Sequence, residues 1–347
     1  MKAIFFDQIN HLLENDMPFF LLRKSGDKMT RLIHQLDQKL HKTRHDNMTC
    51  AVFSKFEDVK NQVFIHGEVT KQFNIVFNEL EISENSNVHS AADNFDQKHH
   101  EDLVFKAISA IKNGLFQKVV LSRKREFQHA LSYLEIIENL FSKYPMNNTY
   151  FFHHPKIGTW CGATPEILLS IKGKNVQTMS LAGTAIYHSQ NIHEWGAKEI
   201  EEQQIVTQSI CQDLEKSGAV NIEVGETYTS RSGDLIHLKS DITAKIEKDQ
   251  ISHILNYLHP TPAVCGLPKK PAKAFILSEE NYDRSYYTGY LGLMTGDFHD
   301  YYVNLRSMQL KKESAIIYAG GGITALSNPR AEYLETENKM KTMLDIL

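Results

Sequence analysis

Two pairs of glutamates stand three residues apart: Glu199 and Glu202 in AKEIEEQQIV, and Glu332 and Glu335 in AEYLETENK, the latter followed one turn on by Lys339. Spacings of three and four put such groups on one face of a helix. A single face of this kind is by default a solvated one. Two brought together offer four carboxylates, an oxygen-only environment suited to Mg²⁺ held through one or two carboxylates, waters and an anionic substrate. The segment YAGGGITA fits G-x-G-x-x-A through Gly320, Gly322 and Ala325, but only 22 residues follow Ala325. That is too few for the helix, second strand and ribose-binding acid of a dinucleotide site. The glycine run is left to a close backbone approach or, by default, a tight turn. Of the 17 histidines, His41 and His45 lie four apart without a third ligand, which reads as an exposed helix face rather than a zinc site. The absence of a G-x-S-x-G elbow or a P-loop weighs against serine acyl transfer and ATP chemistry.

Elements must position these groups. Residues 82–100, rich in Asn, Ser and Asp, read as a surface loop, followed by a helix over 101–114 whose apolar stripe closes on Gly114. In KVVLSR, two-residue alternation puts Lys118, Val120 and Ser122 on one face of a strand, and the lysine where a core residue could sit. A helix is expected over 131–144, then two strands, NTYFFHH and GTWCGATPEILLSIKG, around a turn. Residues 197–214 read as a helix, YYVNLRSMQL and SAIIYAG as strands, and 329–347 as a closing helix. With no regular βαβ alternation, the pattern favours a mixed sheet arrangement over a doubly wound one.

The 347 residues allow two modules or one large one, and 38 Lys+Arg against 42 Asp+Glu leave a net charge of −4. That balance gives no bulk reason to expect nucleic acid or an anionic membrane as partner. Four scattered cysteines, Cys50, Cys161, Cys211 and Cys265, suggest neither a disulfide framework nor a cysteine zinc site. No stretch approaches the roughly 18 apolar residues of a membrane span. The expectation is a soluble, cytoplasmic protein, and no heptad or long apolar patch argues against a monomer.

Taken in order, KVVLSR, GATPEILLS, LAGTA, KEIEEQQIV, LHPTPAVCGLP, YYTGYLG, VNLR, AGGGI and EYLETENK resemble the chorismate-utilising enzymes, and among them most closely the isochorismate synthases. The resemblance covers roughly residues 100–347. It implies an α/β (α+β) unit in which two antiparallel sheets pack together with helices outside, the fold of anthranilate synthase component I. A catalytic domain is then expected over 96–347, with 1–95 an amino-terminal portion of the same unit to which no function is assigned.

The resemblance also implies roles. Lys118 matches the family's general base and Glu166 its general acid. Glu202 and Glu335 match carboxylates that hold Mg²⁺, and Glu199 and Glu332 match partners reaching it through water. Gly183, Thr184, Tyr287, Arg306, Gly320 and Lys339 match positions that hold chorismate. Ala263 stands where aminating and salicylate-forming relatives typically have Thr and isochorismate synthases Ala. The implied activity is Mg²⁺-dependent isomerisation of chorismate to isochorismate, for menaquinone or a siderophore. A salicylate synthase, an aminodeoxychorismate synthase-like enzyme and, from another class, a non-catalytic binding module of this fold stay open. Two departures stand out: Gln203 replaces the His that often follows the metal-binding Glu, changing the surroundings of the metal carboxylates, and the run Gly320–Gly322 carries Gly where Ala is common, which would loosen a loop.

Overall fold

The structure, a computed structural model, describes residues 1–45, 48–58, 60–77, 94–187, 193–247 and 250–347. All strand pairings among the described residues are antiparallel, and they form two nine-stranded sheets. The first runs, edge to edge, β14 (Gly266–Leu267), β6 (Lys118–Gln128), β18 (Ser314–Ile323), β17 (Ser307–Leu310), β8 (Gly158–Thr164), β7 (Asn148–His154), β1 (Phe19–Arg23), β2 (Met29–His34) and β5 (Val69–Asn74). The second runs β11 (Val220–Val224), β13 (Leu235–Lys245), β10 (Asn175–Ile186), β9 (Ile167–Lys172), β16 (Phe298–Val303), β15 (Tyr290–Thr295), β3 (Cys50–Ser54) and β4 (Val63–His66), with β12 (Tyr228–Ser232) also paired to β13. Strands from the first 77 residues therefore enter both sheets.

Strand β1 shows how the layers form. All five residues of FFLLR are buried. Alternation sends Phe20 and Leu22 between the sheets, where they meet Phe53, Trp160 and Leu291, and sends Phe19 and Leu21 outward. There Phe19 and Leu21 join a cluster with Phe5, Ile9, Ile137, Leu140 and Met340, from helices α1 (Lys2–Glu14), α3 (Tyr133–Lys143) and α7 (Pro329–Leu344). Each such side chain contributes about 1.5–3 kcal/mol by leaving water. Helices α4 (Ala197–Lys216) and α5 (Ile251–Leu258) cover the outer face of the second sheet through Val206, Ile210 and Ile254. Helices α2 (Asn94–Lys112) and α6 (Lys269–Glu279) pack Val104 and Ile276 against Val119 and Leu121 of β6. Two packed antiparallel sheets with outer helices is the expected architecture.

Several helix limits follow local chemistry. Ser132 and Glu135 form a reciprocal capping box at the start of α3. Asn328 caps α7, and Pro329 occupies its first turn, where a missing N–H costs nothing. The loop expected over 82–100 is partly corrected: 82–93 lie outside the described residues, but α2 already starts at Asn94.

The more consequential corrections concern two strands read as continuous. The stretch 158–172 is two strands, β8 in the first sheet and β9 in the second, separated by Pro165 and Glu166. Likewise 301–310 divides into the end of β16, in the second sheet, and β17, in the first, separated by Asn304, Leu305 and Arg306. Pro165 offers no N–H to a ladder, and Arg306 takes a left-handed φ of +45°, so neither crossing can continue its strand. The crossings are bonded to each other: the Thr164 hydroxyl donates to Val303 O at 2.6 Å, Val303 N–H to Glu166 O at 3.1 Å and Ala163 N–H to Arg306 O at 3.0 Å. Chain passage between the sheets thereby fixes Glu166 and Arg306 side by side.

Candidate active site

A pocket of about 670 Å³, open solvent at its mouth included, lies at these crossings. Ten of the residues that the resemblance singled out line it: Glu166, Gly183, Thr184, Glu202, Ala263, Tyr287, Arg306, Gly320, Glu335 and Lys339. Lys118, Glu199 and Glu332 stand behind or beside that lining.

Lys118 opens β6 on the face that alternation assigns it, and it is fully buried, with Nζ 2.8 Å from Glu202 Oε1. The pair meets across β18. The glycine run is the interior of that strand, paired with β6, and the turn expected for it does not occur. A Cβ on Gly322 would collide with Glu202 Oε1, and one on Gly321 would meet Glu332 Oε2 at 3.2 Å. Glycine is what lets the amino-terminal turns of α4 and α7 bring their carboxylates against the sheet. Because this is ladder backbone, the extra glycines loosen no loop.

Three of the four glutamates are drawn to a lysine: Glu202 to Lys118, Glu332 to Lys198 at 2.7 Å, and Glu335 to Lys339 at 2.6 Å. Lys339 also donates to Gly320 O at 2.9 Å, so the i,i+4 pair read from the sequence is anchored to the strand. Glu199 folds back over its own helix start, where a Cβ on Gly196 would meet its Oε2 at 2.7 Å. Burial pushes the Glu202 carboxyl up, but Lys118, Lys198 and Lys339 outweigh it and hold the group below the usual carboxylate range. Glu332 moves up, through burial and the neighbouring Glu335.

Among the described residues no three His, Cys, Asp or Glu groups converge on a common metal position. The donors nonetheless suit Mg²⁺. They are oxygen only, and Glu332 Oε2 is buried on the side facing Gly321 without a hydrogen-bond partner among the described residues. Three lysines offset part of the acidic charge.

Glu166 is only 2% exposed, and among the described residues the Thr261 hydroxyl is its side-chain partner, donating to Oε1 at 3.3 Å. Burial raises its pKa from the usual 4.5 to about 7, against the opposing pull of Thr261 and Lys118. Arg306 is buried too, and desolvation lowers its pKa to about 10, which leaves it charged. Gly183 and Thr184 sit where the register of β10 against β13 shifts, with Gly183 at a φ of +66°.

Sequence reasoning missed His237, Thr261 and Lys198. His237 lies between Ile236 and Leu238 in an ordinary strand pattern, so its only signal was a polar side chain on an inward face. Gln203 corrects an expectation: its amide turns away from the carboxylates and donates to Ser180 Oγ at 2.9 Å and Ser240 Oγ at 3.2 Å, tying α4 to β10 and β13.

Residues 30–347 match the model of a family described as chorismate binding enzyme. The chain belongs to that family. It is 30% identical over 264 residues to isochorismate synthase MenF of Pasteurella multocida, which is 70% of this chain and 60% of the relative, so the alignment leaves a large part of that protein unmatched. Among solved structures, the menaquinone-specific isochorismate synthase MenF of Escherichia coli superposes with a TM-score of 0.81 at 20% identity, covering 94% of this chain and 88% of that one. Anthranilate synthase component I of Streptococcus pneumoniae superposes at 0.70 and 20% identity, covering 94% and 90%. At such identities these superpositions show the chorismate-binding fold.

Proposed function

We propose that this chorismate-binding chain is an isochorismate synthase dependent on Mg²⁺. The observation that carries the reading is Glu166: a buried carboxyl in the pocket wall, raised to about 7, with the Lys118–Glu202 pair also at the pocket. Moving a hydroxyl from C4 to C2 of chorismate needs a base for the incoming water and an acid for the departing oxygen. Lys118 takes a proton from water as its oxygen bonds to C2. The ring double bonds shift, the C4–O bond breaks, and Glu166 gives its proton so that the group leaves as water. A carboxyl with a pKa near 7 keeps a large share of its protons at neutral pH, where an ordinary carboxyl keeps almost none.

Taking a proton requires that the Lys118–Glu202 ion pair be opened. Glu202 and Glu335 are the residues that would hold Mg²⁺, with Glu199 and Glu332 reaching it through water, and the ion would supply a cation for a substrate carboxylate. With Glu202 so engaged, Lys118 would lose its counter-ion. Arg306 and Lys339 supply positive charge for the dicarboxylate, Arg306 in the fork geometry that suits a carboxylate. Gly183, Thr184, Ala263, Tyr287 and Gly320 shape the remainder of the wall.

Purified protein incubated with chorismate and Mg²⁺, its products resolved by chromatography, tests the reading. Isochorismate as the product supports it. Salicylate with pyruvate points to a salicylate synthase, and no turnover with retained chorismate binding points to a binding module. We place the product in menaquinone synthesis; a deletion strain that keeps menaquinone but loses a catechol siderophore overturns that assignment alone. We also place the protein in the cytoplasm as a monomer, which cell fractionation and light scattering test. Among the described residues no helix is long and apolar enough to cross a membrane.

A further inference from the structure

His237, on β13, belongs to none of the motifs, yet it lines the pocket and is 6% exposed. Its Nδ1 lies 2.8 Å from Gly183 O and 3.3 Å from Thr184 Oγ1, and its Nε2 lies 3.1 Å from Arg306 Nη2. A carbonyl oxygen only accepts and a guanidinium only donates. The tautomer is thereby fixed, with hydrogen on Nδ1 and the lone pair of Nε2 turned to Arg306. Burial, with Arg306 and Lys339 nearby, pushes the ring's pKa down to about 3, so it stays neutral at any working pH. Neither nitrogen can exchange a proton without giving up one of these bonds.

Arg306 needs such a partner. It sits in a left-handed backbone conformation at the crossing between sheets, and its other side-chain bond runs from Nη1 to Thr342 Oγ1 at 3.2 Å. Both partners are neutral, so its charge is left for an anion. Two of its five N–H groups are used in this way. His237 thus joins the strand bulge at Gly183 and Thr184 to the arginine.

We infer that His237 is a positioning residue: by accepting a hydrogen bond at Nε2 it sets the Arg306 guanidinium where a substrate carboxylate is held, and it takes no part in proton transfer. This rests on the proposed reading that Arg306 holds a carboxylate of chorismate. Turnover of chorismate by the wild-type protein tests that reading first; if there is none, the reading falls and this inference with it. Given turnover, three variants decide the inference. His237→Gln carries an amide oxygen to about the position of Nε2, His237→Asn reaches only Gly183 O, and His237→Leu makes neither bond.

Steady-state kinetics should show KM raised about tenfold in His237→Asn and His237→Leu, the loss of a hydrogen bond to a charged group. In His237→Gln, KM should stay within about threefold of wild type, and kcat should change less than KM in all three. A kcat loss as deep in His237→Gln as in His237→Leu, with KM unmoved, assigns proton transfer to the ring and overturns the inference. An unchanged KM in the Asn and Leu variants overturns it equally. Should His237→Leu not fold, the Gln and Asn variants alone make the same comparison, and melting curves for each separate a loose fold from a misplaced arginine.

Discussion

Replacing Glu166 by glutamine keeps the shape of the side chain and the oxygen that accepts from Thr261, and removes the titration. The folded carboxyl titrates near 7 and the unfolded one near 4.5, so between those values the native state holds a proton that the unfolded chain has released. Native stability therefore falls as pH rises through that interval. Wild type should lose roughly 3 kcal/mol from this group between pH 4.5 and 8, the free energy that corresponds to the two values, whereas Glu166→Gln loses none of it. Urea denaturation of both proteins at several pH values, with EDTA and without substrate, reads the difference. The variant should match wild type near pH 4.5 and exceed it by about 3 kcal/mol at pH 8. Parallel stability curves across that range would refute the account of a buried neutral carboxyl, and with it the acid role. Turnover gives a second reading: kcat/KM of wild type should decline above pH about 7, and Glu166→Gln should lose about 10²–10⁴ of the rate.

Lys118→Ala should abolish turnover and, with EDTA present, cost roughly 3 kcal/mol in urea melts, because Glu202 stays buried while only Lys198 and Lys339 remain to offset it; unchanged stability together with turnover would sink both the base and the pairing argument. Gly322→Ala pushes a methyl group into Glu202 and should lower Mg²⁺ affinity at least tenfold by calorimetry, whereas wild-type affinity would show that Glu202 does not hold the ion. Deleting residues 1–95 removes β1 to β5 from both sheets, and the remaining chain should be insoluble or unfolded by circular dichroism; a folded 96–347 fragment would make the amino-terminal portion a separate module.

Helices α2, α3, α4 and α7 were legible from their apolar periodicity: Val206, Ile210 and Leu214 on α4 lie buried where a period of 3.6 places them, whereas α1, α5 and α6 were not expected. Lys118 was legible as an odd residue on an inward strand face. The crossings at Pro165 and Arg306 were not, since side chains alternate on both sides of each break and the sequence does not say which sheet the next strand joins. The first 77 residues carried no chemistry, so nothing signalled that their strands pair with β7 and β15. Glu166 could be named from the resemblance, but its neutral character comes from burial at a crossing, which no local spacing encodes. The pairing of Glu332 with Lys198 depends on two helices far apart in the chain, α7 and α4, meeting at one strand.

Because the chain threads back and forth between the sheets, neither can be finished while the other is unmade. Partners such as β3 with β15, or β1 with β7, are separated by more than a hundred residues, which makes folding a matter of long-range closure and slow assembly. Glu166 and Arg306 lie at crossings between the sheets, so their places exist only where both sheets are present and docked. A partly folded molecule therefore exposes chain but no half-competent pocket that could bind chorismate and hold it to no purpose. Acquisition of activity during refolding should coincide with the last, global step and not with the appearance of β structure.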